Sequence, residues 1–109
     1  MVPEIDKFTY RIMWSEEDQE FVGLCAEFPS LSWLKENPEA ALKGIMTRVK
    51  STVKDMVKNG EHVPEPYSAK KYSGKFMVRV PPEVHRHLAV EAAESGVSLN
   101  RLASAKLAQ

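Results

Sequence analysis

At 109 residues the chain is long enough for one average domain or two very small ones, and 43% hydrophobic with 28% charged residues excludes wholesale disorder. No apolar run exceeds a few residues, so no membrane span is expected, and one cysteine, Cys25, excludes an internal disulfide or a multi-cysteine metal knot. The net charge of zero hides a polarity: residues 1–66 hold 8 Lys and Arg against 12 Asp and Glu, a net of −4, whereas residues 67–109 hold 7 against 3, a net of +4. The basic end is therefore the nucleic-acid candidate and the acidic end the candidate for a different kind of partner.

Taken in chain order, Met1-Val2-Pro3-Glu4-Ile5-Asp6 is acidic where a secretory leader needs basic residues, which together with the lone thiol predicts a cytoplasmic protein. Phe8-Thr9-Tyr10-Arg11-Ile12-Met13-Trp14 alternates large apolar residues with others, the period of a strand with one buried face. Ser15 to Glu20 is a polar turn. Phe21 to Phe28 predicts a second strand with Val22, Leu24, Ala26 and Phe28 on one face, and Leu31 to Leu34 a short third. Asn37 can cap a helix opened by Pro38 and Glu39, and Leu42, Ile45, Met46, Val49, Val53, Met56 and Val57 trace its apolar stripe up to Asn59-Gly60. Val63-Pro64-Glu65-Pro66 cannot continue that helix, and residues 67–74 read as a polar, basic linker with the option of one more strand on the sheet.

Lys75 to Val80 alternates again, placing Phe76, Val78 and Val80 on one side and Lys75, Met77 and Arg79 on the other. Pro81-Pro82 opens a helix with Val84, Leu88 and Ala92 on its inner face. Ser95-Gly96 ends it, and Ser98 caps a second helix carrying Leu99, Leu102, Ala103 and Leu107. A strand-helix-helix unit of roughly 35 residues buries too little surface to fold alone, and a lone strand leaves its backbone groups unpaired. Pairing with the same strand of a second copy answers both needs, with Phe76, Val78, Val80, Leu88 and Leu102 as the dimer core. The opposite face of such a ribbon fits the major groove of B-DNA, where Lys75 and Arg79 can donate to guanine and Met77 can touch a thymine methyl. The amides at Ser98, Leu99 and Asn100 suit a phosphate, as do Lys70 and Lys71 in the linker.

Phe76-Met77-Val78-Arg79-Val80-Pro81, followed by Gly96-Val97-Ser98-Leu99-Asn100, resembles the MetJ/Arc class of ribbon-helix-helix repressors. In that class the outward strand residues, here Lys75, Met77 and Arg79, read bases. The amides at Ser98, Leu99 and Asn100 correspond to its phosphate clamp. The first half resembles the HicB antitoxin domain through Tyr10-Arg11-Ile12-Met13-Trp14, Glu16-Glu17-Asp18, Gly23-Leu24, Glu27-Phe28-Pro29-Ser30-Leu31, Pro38-Glu39-Ala40-Ala41-Leu42 and Val63-Pro64-Glu65-Pro66. Trp33-Leu34-Lys35-Glu36-Asn37 departs from the small or glycine-containing loop of many members. The resemblance implies an α+β chain: a partial RNase H-like sheet and helix over residues 1–66 that binds toxin, a linker over 67–74, and a dimerising ribbon-helix-helix over 75–109. It further implies an antitoxin that neutralises a small basic, mRNA-cleaving HicA-like toxin and represses its own operon by binding operator double-stranded DNA. A homodimer through the ribbon and a tetramer through the N-terminal domains belong to the same expectation. Glu16, Glu17, Asp18 and Glu20 are the carboxylates expected to meet the toxin.

Two other readings compete. A stand-alone ribbon-helix-helix repressor would carry a ligand sensor in its first half, although no ligand motif is visible there. An RNase H-like nuclease would need carboxylates converging on metal ions about 4 Å apart. Glu16, Glu17 and Asp18 are consecutive and diverge, Asp6 precedes the first strand, and Glu27 is expected on the strand face opposite the apolar set. His85 and His87 are two apart on a helix and point to different sides, while His62 sits in the hinge. No catalytic set, metal site or cofactor is expected, and Trp14 and Trp33 are expected in the core or at a partner contact rather than as base-stacking platforms.

Overall fold

A computed structural model describes residues 4–109, so the start of the acidic amino terminus, Met1-Val2-Pro3, lies outside the described residues. The chain is α+β, with a three-stranded antiparallel sheet and three helices, and divides into two compact units, the first ending at Tyr72 and the second running from Ser73 to Gln109.

In the first unit a single 3-10 turn, Ile5–Lys7, leads into β1 (Tyr10–Ser15), β2 (Glu20–Cys25) and β3 (Ser32–Lys35), which lie in the order β1-β2-β3. The β1–β2 hairpin closes through Glu16–Gln19. Ser15 pairs with Glu20, and Gln19 takes a left-handed φ of 55° to turn the chain back. Residues 61–74 add no strand. The predicted second strand stops at Cys25 rather than Phe28, because Ala26 and Glu27 turn: the Phe28 amide donates to the Cys25 carbonyl at 3.1 Å.

α1 (Pro38–Lys58) starts where the Asn37 side chain accepts the Ala40 amide at 2.8 Å, with Pro38 at the first helical position, as the sequence predicts. It packs across β2 and β3 and buries Ala41, Ile45, Val49 and Val53. Leu42 and Val57, expected on the stripe, remain exposed at its margin. The core joins Ile45, Val49 and Val53 to Phe8, Cys25 and Phe28, with the Phe8 and Phe28 rings edge to face at 5.3 Å.

The sheet face that α1 covers is the one carrying Tyr10, Ile12, Gly23 and Cys25, so of the residues expected on one face of strand two, Phe28 reaches the core from beyond the strand while Val22 and Leu24 lie on the other side. Val22 and Leu24 alternate onto the opposite face, which no described element of this unit covers, and are half-buried there beside exposed Met13 and Leu34. The cause is close approach. A Cβ on Gly23 would stand 2.6 Å from the Ala41 carbonyl oxygen, so only glycine lets the helix come this near the central strand. Trp33 uses a second gap of this kind: its ring lies over Gly44 of α1, in space that a Cβ there would enter at 2.0 Å. That contact accounts for the tryptophan at the point where the sequence departs from the small loop of the resembled family.

The second unit holds α2 (Pro82–Ser95) and α3 (Leu99–Leu107). Gly96 closes α2 in the left-handed conformation, φ 70°, and the Val97 amide returns to the Ala92 carbonyl at 3.1 Å. Ser98 caps α3 by accepting the Arg101 amide at 3.0 Å. Residues 75–80, read from sequence as a strand, are not a strand within this chain. They find no pairing segment, and Phe76 to Val80 make no hydrogen bond among the described residues.

Candidate functional site

The residues singled out for DNA contact fall in two places. Lys75, Met77 and Arg79 lie on the unpaired segment and are exposed, Met77 at 82%. Phe76, Val78 and Val80 are open as well, with Phe76 at 75%. Such exposure is a poor resting state for a run of apolar side chains with unpaired backbone groups. In the two helices, Leu88, Leu99, Leu102 and Ala103 are half-buried, Val84 and Leu107 are exposed, and Ala92 is the only buried side chain of this unit. One exposed ion pair, Lys106 to Glu91 at 3.1 Å, joins the helices, and pairs of this kind contribute at most about 1 kcal/mol.

Ser98, Leu99 and Asn100 stand at the amino end of α3. The Ser98 hydroxyl is committed to the Arg101 amide, whereas the amides of Leu99 and Asn100 occupy the first two helical positions, which no helical carbonyl can reach. These two amides are the groups free to meet an anion. Lys70 closes a turn of the first unit and Lys71 follows it: the Pro66 carbonyl accepts both the Ala69 and the Lys70 amide at 3.0 Å.

The carboxylates expected at a partner surface ring the β1–β2 hairpin. Glu16, Glu17 and Asp18 are exposed at its tip. Glu16 accepts the Trp14 indole N–H at 2.7 Å, and the Ser15 hydroxyl donates to Asp18 at 2.8 Å, so two of the three are held in place. Trp14 itself lies edge-on to Phe21 at 5.1 Å. Glu20 alternates onto the uncovered sheet face with Val22 and Leu24, so an acidic rim and an apolar patch adjoin.

The strand pattern predicts an outward-facing Glu27, and the structure differs. Instead of an outward strand position Glu27 occupies the turn after β2, only 8% exposed. Its carboxylate accepts the Thr9 amide at 2.9 Å, the Thr9 hydroxyl at 3.1 Å and the Tyr67 amide at 2.9 Å, while the Cys25 thiol lies 3.5 Å away. Burial by itself would push this carboxyl up, but the Thr9 and Tyr67 amides outweigh it and hold it below the ordinary range. Burial, aided by the neighbouring carboxylate, pushes the Cys25 thiol up to about 11. The sequence signal was present: a glutamate between Cys25-Ala26 and Phe28-Pro29 is a charge inside an apolar stretch.

His62, His85 and His87 are all exposed, and the described residues contain no group of three His, Cys, Asp or Glu side chains able to hold a metal ion. No described helix is long and apolar enough to cross a membrane. An open groove of about 390 Å³ beside α1 is lined by Ile5, Leu42 and Met46 together with Glu39, Lys43 and Lys50.

Among known proteins, the HicB family matches residues 59–107, from the residue after α1 through α2 and α3. That match supports the HicB family, a family of antitoxins from toxin–antitoxin systems. No curated protein and no solved structure matches the chain.

Proposed function

We propose that this protein is a HicB-type antitoxin. Its first unit binds and neutralises a small basic HicA-like toxin, and its second unit dimerises as a ribbon-helix-helix to repress the operon. One observation carries the reading. Residues 75–80 combine exposed Phe76, Val78 and Val80, an unpaired backbone and alternating Lys75, Met77 and Arg79, immediately ahead of two helices that bury a single side chain. A second copy supplies the missing strand and the missing core together. Paired, the two strands turn Lys75, Met77 and Arg79 outward as a ribbon for the major groove. The Leu99 and Asn100 amides then hold the DNA backbone.

For the toxin, the hairpin carboxylates Glu16, Glu17, Asp18 and Glu20 steer a basic surface, and the apolar patch of Met13, Val22, Leu24 and Leu34 gives it area to bury. The strand residues are tested on DNA. Arg79→Ala is expected to weaken operator binding by about 1–3 kcal/mol and to relax preference at one base pair, with a smaller loss on unrelated sequence. Equal losses on both, measured by titration at fixed salt, would remove base reading from the proposal. The partner is tested by purification from native cells: a small basic protein should accompany the chain in stoichiometric amount. Its absence, with intact operator binding, would leave a repressor that is no antitoxin.

A further inference from the structure

Glu27 is the one buried charged residue among those described, and it joins segments far apart in sequence. Thr9 lies 18 residues before it and Tyr67 40 residues after. The Tyr67 contact has support on either side. Val63 packs against the core, Pro66 is buried, the Ser68 hydroxyl donates to the Lys7 carbonyl, and the Tyr72 hydroxyl donates to the Tyr67 carbonyl at 3.3 Å. The stretch that composition marks as a linker is thus fastened to Glu27 through Tyr67 and to Lys7 through Ser68, with Tyr72 tied back onto Tyr67. Its two lysines follow the turn built on Pro66, and neither makes an ion pair among the described residues.

We infer that Glu27 is a positioning residue: through the Tyr67 amide it fastens residues 66–72 to the first unit, so that Lys70 and Lys71 meet DNA phosphates from a fixed turn and not from a free tether. The DNA arm of this inference rests on the proposed function; the fastening does not. A lysine on a loose chain loses conformational freedom whenever it contacts a phosphate, whereas one already held in place loses less. A buried carboxylate suits the task because its bonds to amides are charge-assisted and shielded from water.

Tyr67 offers a narrow test. It is the second residue of the Pro66–Ala69 turn, the position where proline is favoured, so Tyr67→Pro removes the one amide hydrogen that Glu27 holds there and leaves its Thr9 bonds in place. Tyr67→Ala removes the ring and keeps the amide. Hydrogen exchange of the free protein should show residues 68–72 exchanging about tenfold faster or more in Tyr67→Pro, and near the wild-type rate in Tyr67→Ala. Replacing both Lys70 and Lys71 by alanine should lower operator affinity about tenfold at low salt in the wild-type background, and only about threefold or less in Tyr67→Pro. Equal exchange in the two Tyr67 variants overturns the fastening, and an equal cost of losing the lysines in both backgrounds overturns their positioning. A wild-type protein that binds no operator removes the proposed DNA function and the phosphate role together, while the exchange comparison still decides the fastening.

Discussion

At single positions, the effect of a substitution depends on which neighbour can yield. Gly23 and Gly44 both face crowded space across the sheet–helix interface, but the obstacle at Gly23 is the Ala41 backbone carbonyl and at Gly44 it is the partly exposed Trp33 ring. Gly23→Ala should therefore cost about 1–3 kcal/mol in urea unfolding, as overpacking does when backbone must shift. Gly44→Ala should stay within about 1 kcal/mol of wild type, because the ring swings outward and alanine favours the helix. Trp33 fluorescence should shift red in that variant alone. Glu27 carries a pH signature. Its carboxyl titrates lower in the folded chain than in the unfolded one, so its stabilisation is complete above the unfolded value and is lost as pH falls through the folded one. The stability gap between wild type and Glu27→Gln should accordingly narrow as pH is lowered from about 7 to about 3, and a gap constant across that range would show that the bonded carboxylate is not its source.

Whole elements were legible in the sequence where their signals are local. The Asn37 and Ser98 caps, Pro38 and Pro82 at helix starts and Gly96 at a helix end each act within a few residues, and all sit where the pattern puts them. Ser98→Ala should cost about 1 kcal/mol of α3 stability, read as lost helical signal, because the Arg101 amide loses its acceptor. The strand faces were less legible for a physical reason. A period-of-two count weighs side-chain size, so it selects Val22 and Leu24, yet the face that packs on α1 is the one where Gly23 and Cys25 are small enough to admit a helix. Glu27 escaped for a similar reason: a carboxylate counts as an outward residue until the amides of Thr9 and Tyr67, distant in sequence, are brought to it.

At the scale of the whole molecule, the two units differ in how far each can stand alone. The first has a core of three aromatic or sulfur-bearing residues and three helix aliphatics under a sheet; the second, Ser73 to Gln109, buries Ala92 alone. If the second unit associates through residues 75–80 as proposed, its folded state should follow protein concentration. Val78→Asp places a charge at the centre of the proposed ribbon core and leaves Lys75, Met77 and Arg79 untouched. It should yield a monomer by sedimentation, weaken operator binding more than Arg79→Ala does, and reduce the helical signal of α2 and α3 while the first unit keeps its unfolding transition. The order of the two effects is the discriminating feature. An arginine that reads one base pair can lose about 1–3 kcal/mol, whereas separating the strands removes both copies of every contact at once. A Val78→Asp protein that kept its dimeric mass would mean that residues 75–80 do not hold the two copies together, and Lys75, Met77 and Arg79 would then lack the paired ribbon needed to enter a groove.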